Sequence, residues 1–345
     1  MTSVPETQKG WRVVRQGTPS KAVALQTFPV PKVKDGEVLV KIEAGALNPV
    51  GYKLMAFLPN LLARRPHVAE HDFTGTIVDP GSSTYKVGDA VFGFLPVPLQ
   101  MKTGQGALAQ YITIPTDLIT LRPPSLVATQ AAGIALAGVT AHQALFKILR
   151  IESGQHILIA GGSSSVGSYA IQIAKAHGCT VTSTCSASNI ELVKGLGADE
   201  VIDYTIHTPH EYFASHPPTP KFHGILDCIG NTPQLFLRSP AYLAPNAKFA
   251  SVGVDFSNLA GLPGALWAIV QTSLWPRWLG GVPRDHHIIM HTSDKKTDLD
   301  ALAELINQGQ LKPLVDSVYS FDDVLAAYDR ILTHRAKGKV VVTID

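Results

Sequence analysis

The residues with the clearest capacity for chemistry are Gly161-Gly162-Ser163-Ser164-Ser165-Val166-Gly167. Three glycines let a chain turn tightly and bring its backbone close to a ligand. Three serines add hydroxyl donors. Such a turn at the start of a helix binds phosphate, because N–H groups and the positive end of the helix dipole face the anion. A Gly-rich run alone is weak evidence, and its neighbours decide. Before it, His156-Ile157-Leu158-Ile159-Ala160 reads as a buried strand. After it, Val166 to His177 reads as an amphipathic helix, with Tyr169, Ile173 and Ala176 at helical spacing. The alternative is an ordinary strand–helix turn of small residues. Thr180 to Thr184 then supplies a second strand, and the completed βαβ unit favours a pyrophosphate cradle formed by Gly162, Ser163, Ser164, Ser165 and Val166.

The end of that second strand speaks to which dinucleotide. NAD binding usually places an Asp or Glu about 20 residues after the turn, on the ribose 2′-hydroxyl. Here the chain reads Thr184-Cys185-Ser186-Ala187-Ser188-Asn189, with no acid. A carboxylate would repel a 2′-phosphate, whereas hydroxyls and an amide donate to one. NADPH is the expected cofactor. The loop holds no Arg, so the expected preference over NADH is modest.

The elements that must position this turn change character along the chain. Up to about Leu126 the sequence is β-like: Val38–Ala44, Thr76–Val78 and Ala90–Gly93 are short runs closely punctuated by Gly and Pro. Thr129–Leu149 is Ala-rich and helical in period. Strands and helices then alternate, with further strands at Val201–Asp203, Gly224–Cys228 and Ala247–Val252, a helix at Asn189–Leu196, and right-handed crossovers implied. His207–Pro220 reads as a surface excursion and Arg284–Thr297 as a charged turn. The end returns to α and β at Leu299–Ile306, Val315–Tyr319, Val324–Leu332 and Lys339–Ile344. The expected class is α/β, with two domains.

Composition excludes several classes. At 345 residues the chain exceeds one ordinary core of about 100–200 residues. Hydrophobic residues make up 45 %, which argues against disorder. The 29 basic and 27 acidic residues form no long basic run, so no nucleic-acid partner is expected. Cys179, Cys185 and Cys228 are odd in number and lack metal-ligand spacing, as fits reduced thiols in a cytoplasmic protein. The first residues lack a signal-peptide pattern. The apolar stretch Leu259–Gly281 is broken by Pro263, Pro276 and Arg277, too early for a membrane span. It reads as a core helix or pocket lid.

Taken together the motifs resemble the medium-chain dehydrogenase/reductase superfamily, and within it the zinc-free quinone oxidoreductase and enone (enoyl) reductase branch. The resemblance covers nearly the whole chain. It rests on Ala44-Gly45-Ala46-Leu47-Asn48-Pro49-Val50, His71-Asp72-Phe73-Thr74-Gly75, Gly88–Gly93, Gly106–Tyr111, Ala137–Ala141, the phosphate turn, Leu196–Tyr204 and Gly338-Lys339-Val340-Val341. It implies a GroES-like β-barrel catalytic domain at residues 1–126 and 290–345, and a Rossmann doubly wound parallel-sheet domain binding NADPH at 127–289. It also implies cofactor contacts. Thr140, Cys228, Ile229 and Gly253 would lie near the nicotinamide. Ser186, Asn189 and Tyr204 would lie near the 2′-phosphate, and Gly338 and Lys339 would close over the cofactor. Relatives further imply a homodimer through the edge of the Rossmann sheet.

Two residues depart from the family pattern. Ser164 stands where the turn usually has its middle glycine, and tolerates that place only with a negative φ. Gly51 stands where an acid often follows Asn-Pro-Val. Zinc-dependent members place a Cys near positions 46–48 and a His in Gly-His-Glu; here the residues are Ala46-Leu47-Asn48 and Glu70-His71-Asp72. A catalytic zinc needs three protein ligands, so His71 reads as a non-ligand and no metal is expected. His286, His287 and His291 read as a surface turn. Without a Lewis acid, hydride addition to a conjugated C=C or a quinone is easier than oxidation of an unactivated alcohol. That chemistry needs a donor for the enolate oxygen and a proton for the α-carbon. Asn48, Tyr52 and Lys53 are the candidates, with water as an alternative proton source. Phe57, Leu58, Phe94, Leu95 and Trp267 are candidates to line an apolar pocket. The leading expectation is an NADPH-dependent reductase of enones, 2-alkenals or quinones acting on a small hydrophobic carbonyl substrate. Its competitors are a trans-acting enoyl reductase partnered with a polyketide synthase, and a cofactor-binding scaffold with little turnover.

Overall fold

In the computed structural model, residues 4–230, 233–252, 267, 270–275, 277–279, 281–289 and 295–344 are described. In chain order the strands are β1 (Thr7–Val13), β2 (Val23–Pro29), β3 (Glu37–Ala46), β4 (His67–Val68), β5 (Asp72–Asp79), β6 (Ala90–Phe94), β7 (Tyr111–Pro115) and β8 (Ile119–Leu121), followed by β9 (His156–Ala160), β10 (Thr180–Cys185), β11 (Glu200–Asp203), β12 (Phe222–Asp227), β13 (Leu243–Ser251) and β14 (Asp285–Ile288), and last β15 (Val315–Tyr319) and β16 (Lys339–Thr343). The helices used below are α1 (Pro49–Phe57), α2 (Ser165–Ala176), α3 (Lys295–Asn307) and α4 (Val324–Leu332).

The chain divides into two compact units. One comprises Met1–Val139, Asp294–Gln308 and Pro313–Asp345; the other comprises Thr140–Ser293 and Gly309–Lys312. The first unit is a GroES-like β structure. Its seven-stranded sheet runs β15-β16-β3-β5-β6-β8 with β7 also paired to β3, and a three-stranded sheet runs β2-β1-β4. The long β3 holds this together because it pairs with β5, β7 and the C-terminal β16. Alternate apolar residues of these strands, including Ile42, Phe73, Ile77, Val91, Ile112 and Val342, form its core. The helical run from Ala128 to Ala131 packs on β3 and β5, so the division falls at 139/140 rather than at 126/127.

The second unit is a six-stranded parallel sheet ordered β11-β10-β9-β12-β13-β14. The order reverses between β9 and β12, as in doubly wound dinucleotide folds. Helix α2 follows β9 directly. It buries Tyr169, Ile173 and their neighbours and ends at His177, where Gly178 takes a left-handed φ of 82°.

Two loop expectations change. Residues 209–215 of the supposed excursion are a helix whose Phe213 is buried beside Phe222 and Tyr242. Residues 285–288 of the supposed charged turn are β14, paired in parallel with β13. Backbone bonding to the open edge of β13 holds that polar strand, so no hydrophobic run announces it. His286 therefore lies in a sheet rather than a turn; its Nε2 is 2.9 Å from Ser251 Oγ, and burial pushes its pKa down to about 4. His291 lies outside the described residues. Among the described residues no helix is long and apolar enough to cross a membrane.

Candidate active site

In the second unit, the turn after β9 is shaped by three backbone requirements. Gly161 has φ +82°, a conformation that side chains rarely adopt, and a Cβ there would lie 2.5 Å from Ile229 Cδ1. A Cβ on Gly167 would overlap the Gly161 carbonyl oxygen. Ser164 has φ −71° and is the N-cap of α2: its Oγ accepts from Gly167 N at 3.1 Å and donates to the Gly161 carbonyl at 2.7 Å. The departure at Ser164 is thereby explained, since the positions that need a glycine are 161 and 167 and the serine caps the helix.

Beside this turn, Asn189 Nδ2 donates to Ser163 Oγ at 3.2 Å and to Ser186 Oγ at 3.3 Å, while Asn189 Oδ1 is buried without a partner. Ser186 also contacts Ser188 at 3.3 Å. Tyr204 is half exposed, and its N–H donates to the Cys185 carbonyl. Among the described residues the acid at this end is Asp203, which accepts from Thr205 N and Oγ. Ser165 and Val166 open α2, and Thr140 is buried in the helix Ala135–His142. Cys228 follows β12; burial and the neighbouring Asp227 push its thiol above the usual range. Ile229 donates its N–H to Asp227. Gly253 lies outside the described residues. A glycine-shaped backbone cradle and a capped helix N-terminus fit a dinucleotide.

The first unit holds a buried polar network. Asn48, the N-cap of α1, is 2 % exposed. Its Nδ2 donates to the Ala46 carbonyl (3.2 Å) and to Asp72 Oδ2 (3.1 Å), and its Oδ1 accepts from Lys339 Nζ at 2.6 Å. Lys339 and Asp72, both buried, pair at 2.9 Å, and Leu136 N donates to the other Asp72 oxygen at 2.7 Å. Glu70 accepts Asn48 N–H at 2.9 Å and Tyr328 O–H at 2.8 Å. Burial pushes the Glu70 pKa up to about 7 against these hydrogen bonds and the Lys339 charge.

Tyr52 and Lys53 lie on α1. Tyr52 is buried, with its ring edge-on to His334 at 6.3 Å, and Lys53 is half-buried. Phe94 and Leu95 are fully buried, Phe57 and Leu58 half-buried, and Trp267 is about half exposed against Trp275. Gly338 has φ +94° above the Leu314 carbonyl. His71 directs Nδ1 to the Leu95 carbonyl at 2.8 Å; its Nε2 is buried without a partner, and burial lowers its pKa. Among the described residues no three His, Cys, Asp or Glu side chains are grouped to hold a metal ion.

Comparison with known proteins agrees with this geometry. Residues 34–124 match the alcohol dehydrogenase GroES-like domain, and residues 196–342 match the family described as zinc-binding dehydrogenase. The chain is 33 % identical to the trans-enoyl reductase pgmF of Aspergillus terreus, over 100 % of this chain and 98 % of that one. The chain belongs to the medium-chain dehydrogenase/reductase superfamily. Within the superfamily it falls in the zinc-free branch, being also 32 % identical to a chloroplastic quinone oxidoreductase of Triphysaria versicolor over 91 % of this chain and 92 % of that one. The quinone oxidoreductase of Coxiella burnetii has the same fold, with a TM-score of 0.80 at 24 % identity over 98 % of this chain and 100 % of that one. As a medium-chain dehydrogenase/reductase the protein is an oxidoreductase that uses a nicotinamide cofactor.

Sequence reasoning did not find Glu70, Asp72 or Tyr328 as members of one network. The available signal was the run Glu70-His71-Asp72, in which Glu70 replaces the glycine of Gly-His-Glu; in the structure Glu70 takes φ +64°. Tyr328, 258 positions away, carried none.

Proposed function

We propose that this oxidoreductase is an NADPH-dependent, zinc-independent reductase of conjugated C=C bonds in enones, 2-alkenals and enoyl thioesters, or of quinones. The observation that carries the reading is the Asn48–Asp72–Lys339 network. Positions 46–48 and 71, around which zinc-dependent members set their ligands, here carry no Cys, and a lysine-centred hydrogen-bonded pair lies among them. Bound NADPH supplies the hydride. Asn48 directs both amide hydrogens into the protein, so it acts as a positioning residue. The donor to the developing enolate oxygen falls to Tyr52 or Lys53 on α1, with water as the proton source for the α-carbon.

NADPH is favoured over NADH because the Ser186–Asn189 loop carries no carboxylate and offers the hydroxyls of Ser186 and Ser188. Each hydrogen bond to a 2′-phosphate contributes roughly 1.5–3 kcal/mol, about ten- to a hundred-fold in affinity. Equal turnover with NADH at low concentration would overturn that part. The trans-acting reading, with a polyketide synthase as partner, is favoured by likeness to a trans-enoyl reductase along the full chain. We place the protein in the cytoplasm and include a homodimer through β14 among the outcomes to be tested by light scattering. The deciding experiment measures NADPH oxidation with quinones, 2-alkenals, cyclic enones and free and carrier-bound enoyl thioesters. Turnover on carrier-bound substrate alone would select the trans-acting reading. NADPH binding with no oxidation across the panel would overturn the reductase and leave a scaffold.

A further inference from the structure

Helix α1 begins Asn48-Pro49-Val50-Gly51, so Asn48 is its N-cap and Gly51 its third helical residue. An acid at that third position ordinarily reaches back to the N-cap backbone N–H, one half of a capping box, and its charge suits the positive end of the helix. This helix has no acid in its first turn, and Asn48 makes no side-chain cap. The Asn48 N–H instead donates to Glu70 Oε2 at 2.9 Å. Glu70 comes from the segment before β5, 22 positions away in sequence. Space confirms the exchange: a Cβ added at Gly51 would lie 2.7 Å from Glu70 Cδ and 2.8 Å from Oε2, and would overlap Oε1. Gly51 has an ordinary helical backbone, so its glycine is explained by room rather than by conformation. Glu70 in turn holds φ +64°, a costly place for a residue with a side chain. Positions 51 and 70 thus show reciprocal departures. A glycine stands where relatives often carry an acid, and an acid stands where Gly-His-Glu has its glycine.

We infer that Glu70 is a positioning residue that supplies, from outside the helix, the acid missing from position 51, and so fixes the pose of Asn48 and of the α1 residues Tyr52 and Lys53. The carboxylate also takes the Tyr328 O–H at 2.8 Å, which ties α4 to the same point. The inference deepens the reductase reading and rests on it for its catalytic consequence.

The test is a cycle of full-length variants: Gly51→Asp, Glu70→Gly, and the two combined, with Gly51→Ala and Glu70→Gln beside them. Each is read by Tm, by kcat with a fixed enone, and by KM for NADPH. Gly51→Asp and Glu70→Gly are each expected to lower Tm and to lower kcat at least ten-fold with KM for NADPH within two-fold. The combined variant is expected to return kcat to within about three-fold of the parent. Gly51→Ala, which raises the stability of an ordinary helix position, is expected to lower Tm here. Glu70→Gln, which keeps an acceptor, is expected to lose less kcat than Glu70→Gly. A combined variant no better than the product of its parts, or a raised Tm for Gly51→Ala, overturns the inference. If the singles fold poorly, Gly51→Ala and Glu70→Gln still decide it. A restored Tm in the combined variant, with no reductase activity even in the parent, would mark failure of the reductase reading instead.

Discussion

Replacing Lys339 by Met removes a charge without removing the packing of its stem. The aliphatic part of Lys339 lies against Gly133, where an added Cβ would come within 2.7 Å of Lys339 Cβ. A methionine keeps that contact. What is lost is Nζ, which lies 2.9 Å from Asp72 Oδ2 and 2.6 Å from Asn48 Oδ1. Asp72, fully buried, keeps only the donors Asn48 Nδ2 and Leu136 N. Breaking a buried pair by removing one partner costs about 3–5 kcal/mol, most of it the stranded charge. For a unit of this size that is a fall in Tm of roughly 10 °C. Adding Asp72→Asn to Lys339→Met neutralises the stranded carboxylate, so the double variant should recover about 2 kcal/mol relative to the sum of the singles. Urea unfolding followed by tryptophan fluorescence reads this, with Trp11 reporting on the first unit. A loss under 1 kcal/mol for Lys339→Met, or strict additivity in the double, would show that the network is not the buried, charge-compensated centre described above.

Other expectations are more compact. Glu70 has a folded pKa of about 7 against an ordinary 4.5. The folded state therefore holds its proton more tightly, so its contribution is full below about pH 4.5 and is lost as pH rises through 7. The difference is about 3 kcal/mol at most, and Glu70→Gln should remove that part of the pH dependence in thermal melts between pH 4.5 and 8. Ser164→Ala should cost about 1 kcal/mol and Ser164→Gly only a few tenths, because the backbone is ordinary and only the cap is lost; equal losses would contradict the N-cap. Gly161→Ala should raise the dissociation constant for NADPH at least ten-fold by fluorescence titration, since a side chain at φ +82° would also strike Ile229. Asn189→Asp should shift cofactor preference toward NADH, measured as the ratio of kcat/KM values; an unchanged ratio would remove that loop from specificity.

The two-domain α/β architecture was legible because periodicity survives in single segments: β9, α2 and β10 follow one another with little between them. The glycine turn between β9 and α2 was legible for the same reason, since its parts lie within seven positions. The edge strand β14 was not. β14 is Asp-His-His-Ile, whose place comes from bonding to β13 rather than from its own side chains. The unit boundary shifted because the helical run after Ala128 takes its burial from β3 and β5, a tertiary choice that composition does not mark. The candidate site in the first unit was read in part. Asn48, Tyr52 and Lys53 stand out by type and by lying within six positions, whereas the partners of Asn48 lie far away in sequence. Lys339 read as a cofactor contact; its bonds to Asp72 and Asn48, far apart in sequence, were not readable from the chain alone. Ser164 and Gly51, which sequence alone left as departures, each have a local physical reason: a helix cap in one case and the carboxylate of Glu70 in the other.

The way β16 threads back beside β3 also sets an order of events during synthesis. Among the described residues every strand of the parallel sheet lies between residues 156 and 288, so those strands are all present once β14 emerges. The first unit must wait, because Lys339 follows Asn48 by 291 positions. At about 5–20 residues per second that delay is roughly 15–60 s on the ribosome. During it Asp72 lacks its cation and β3 lacks one neighbour, so nascent chains stalled before residue 315 should bind NADPH yet expose the first unit to protease. Full protection of both units before β16 emerges would refute that order.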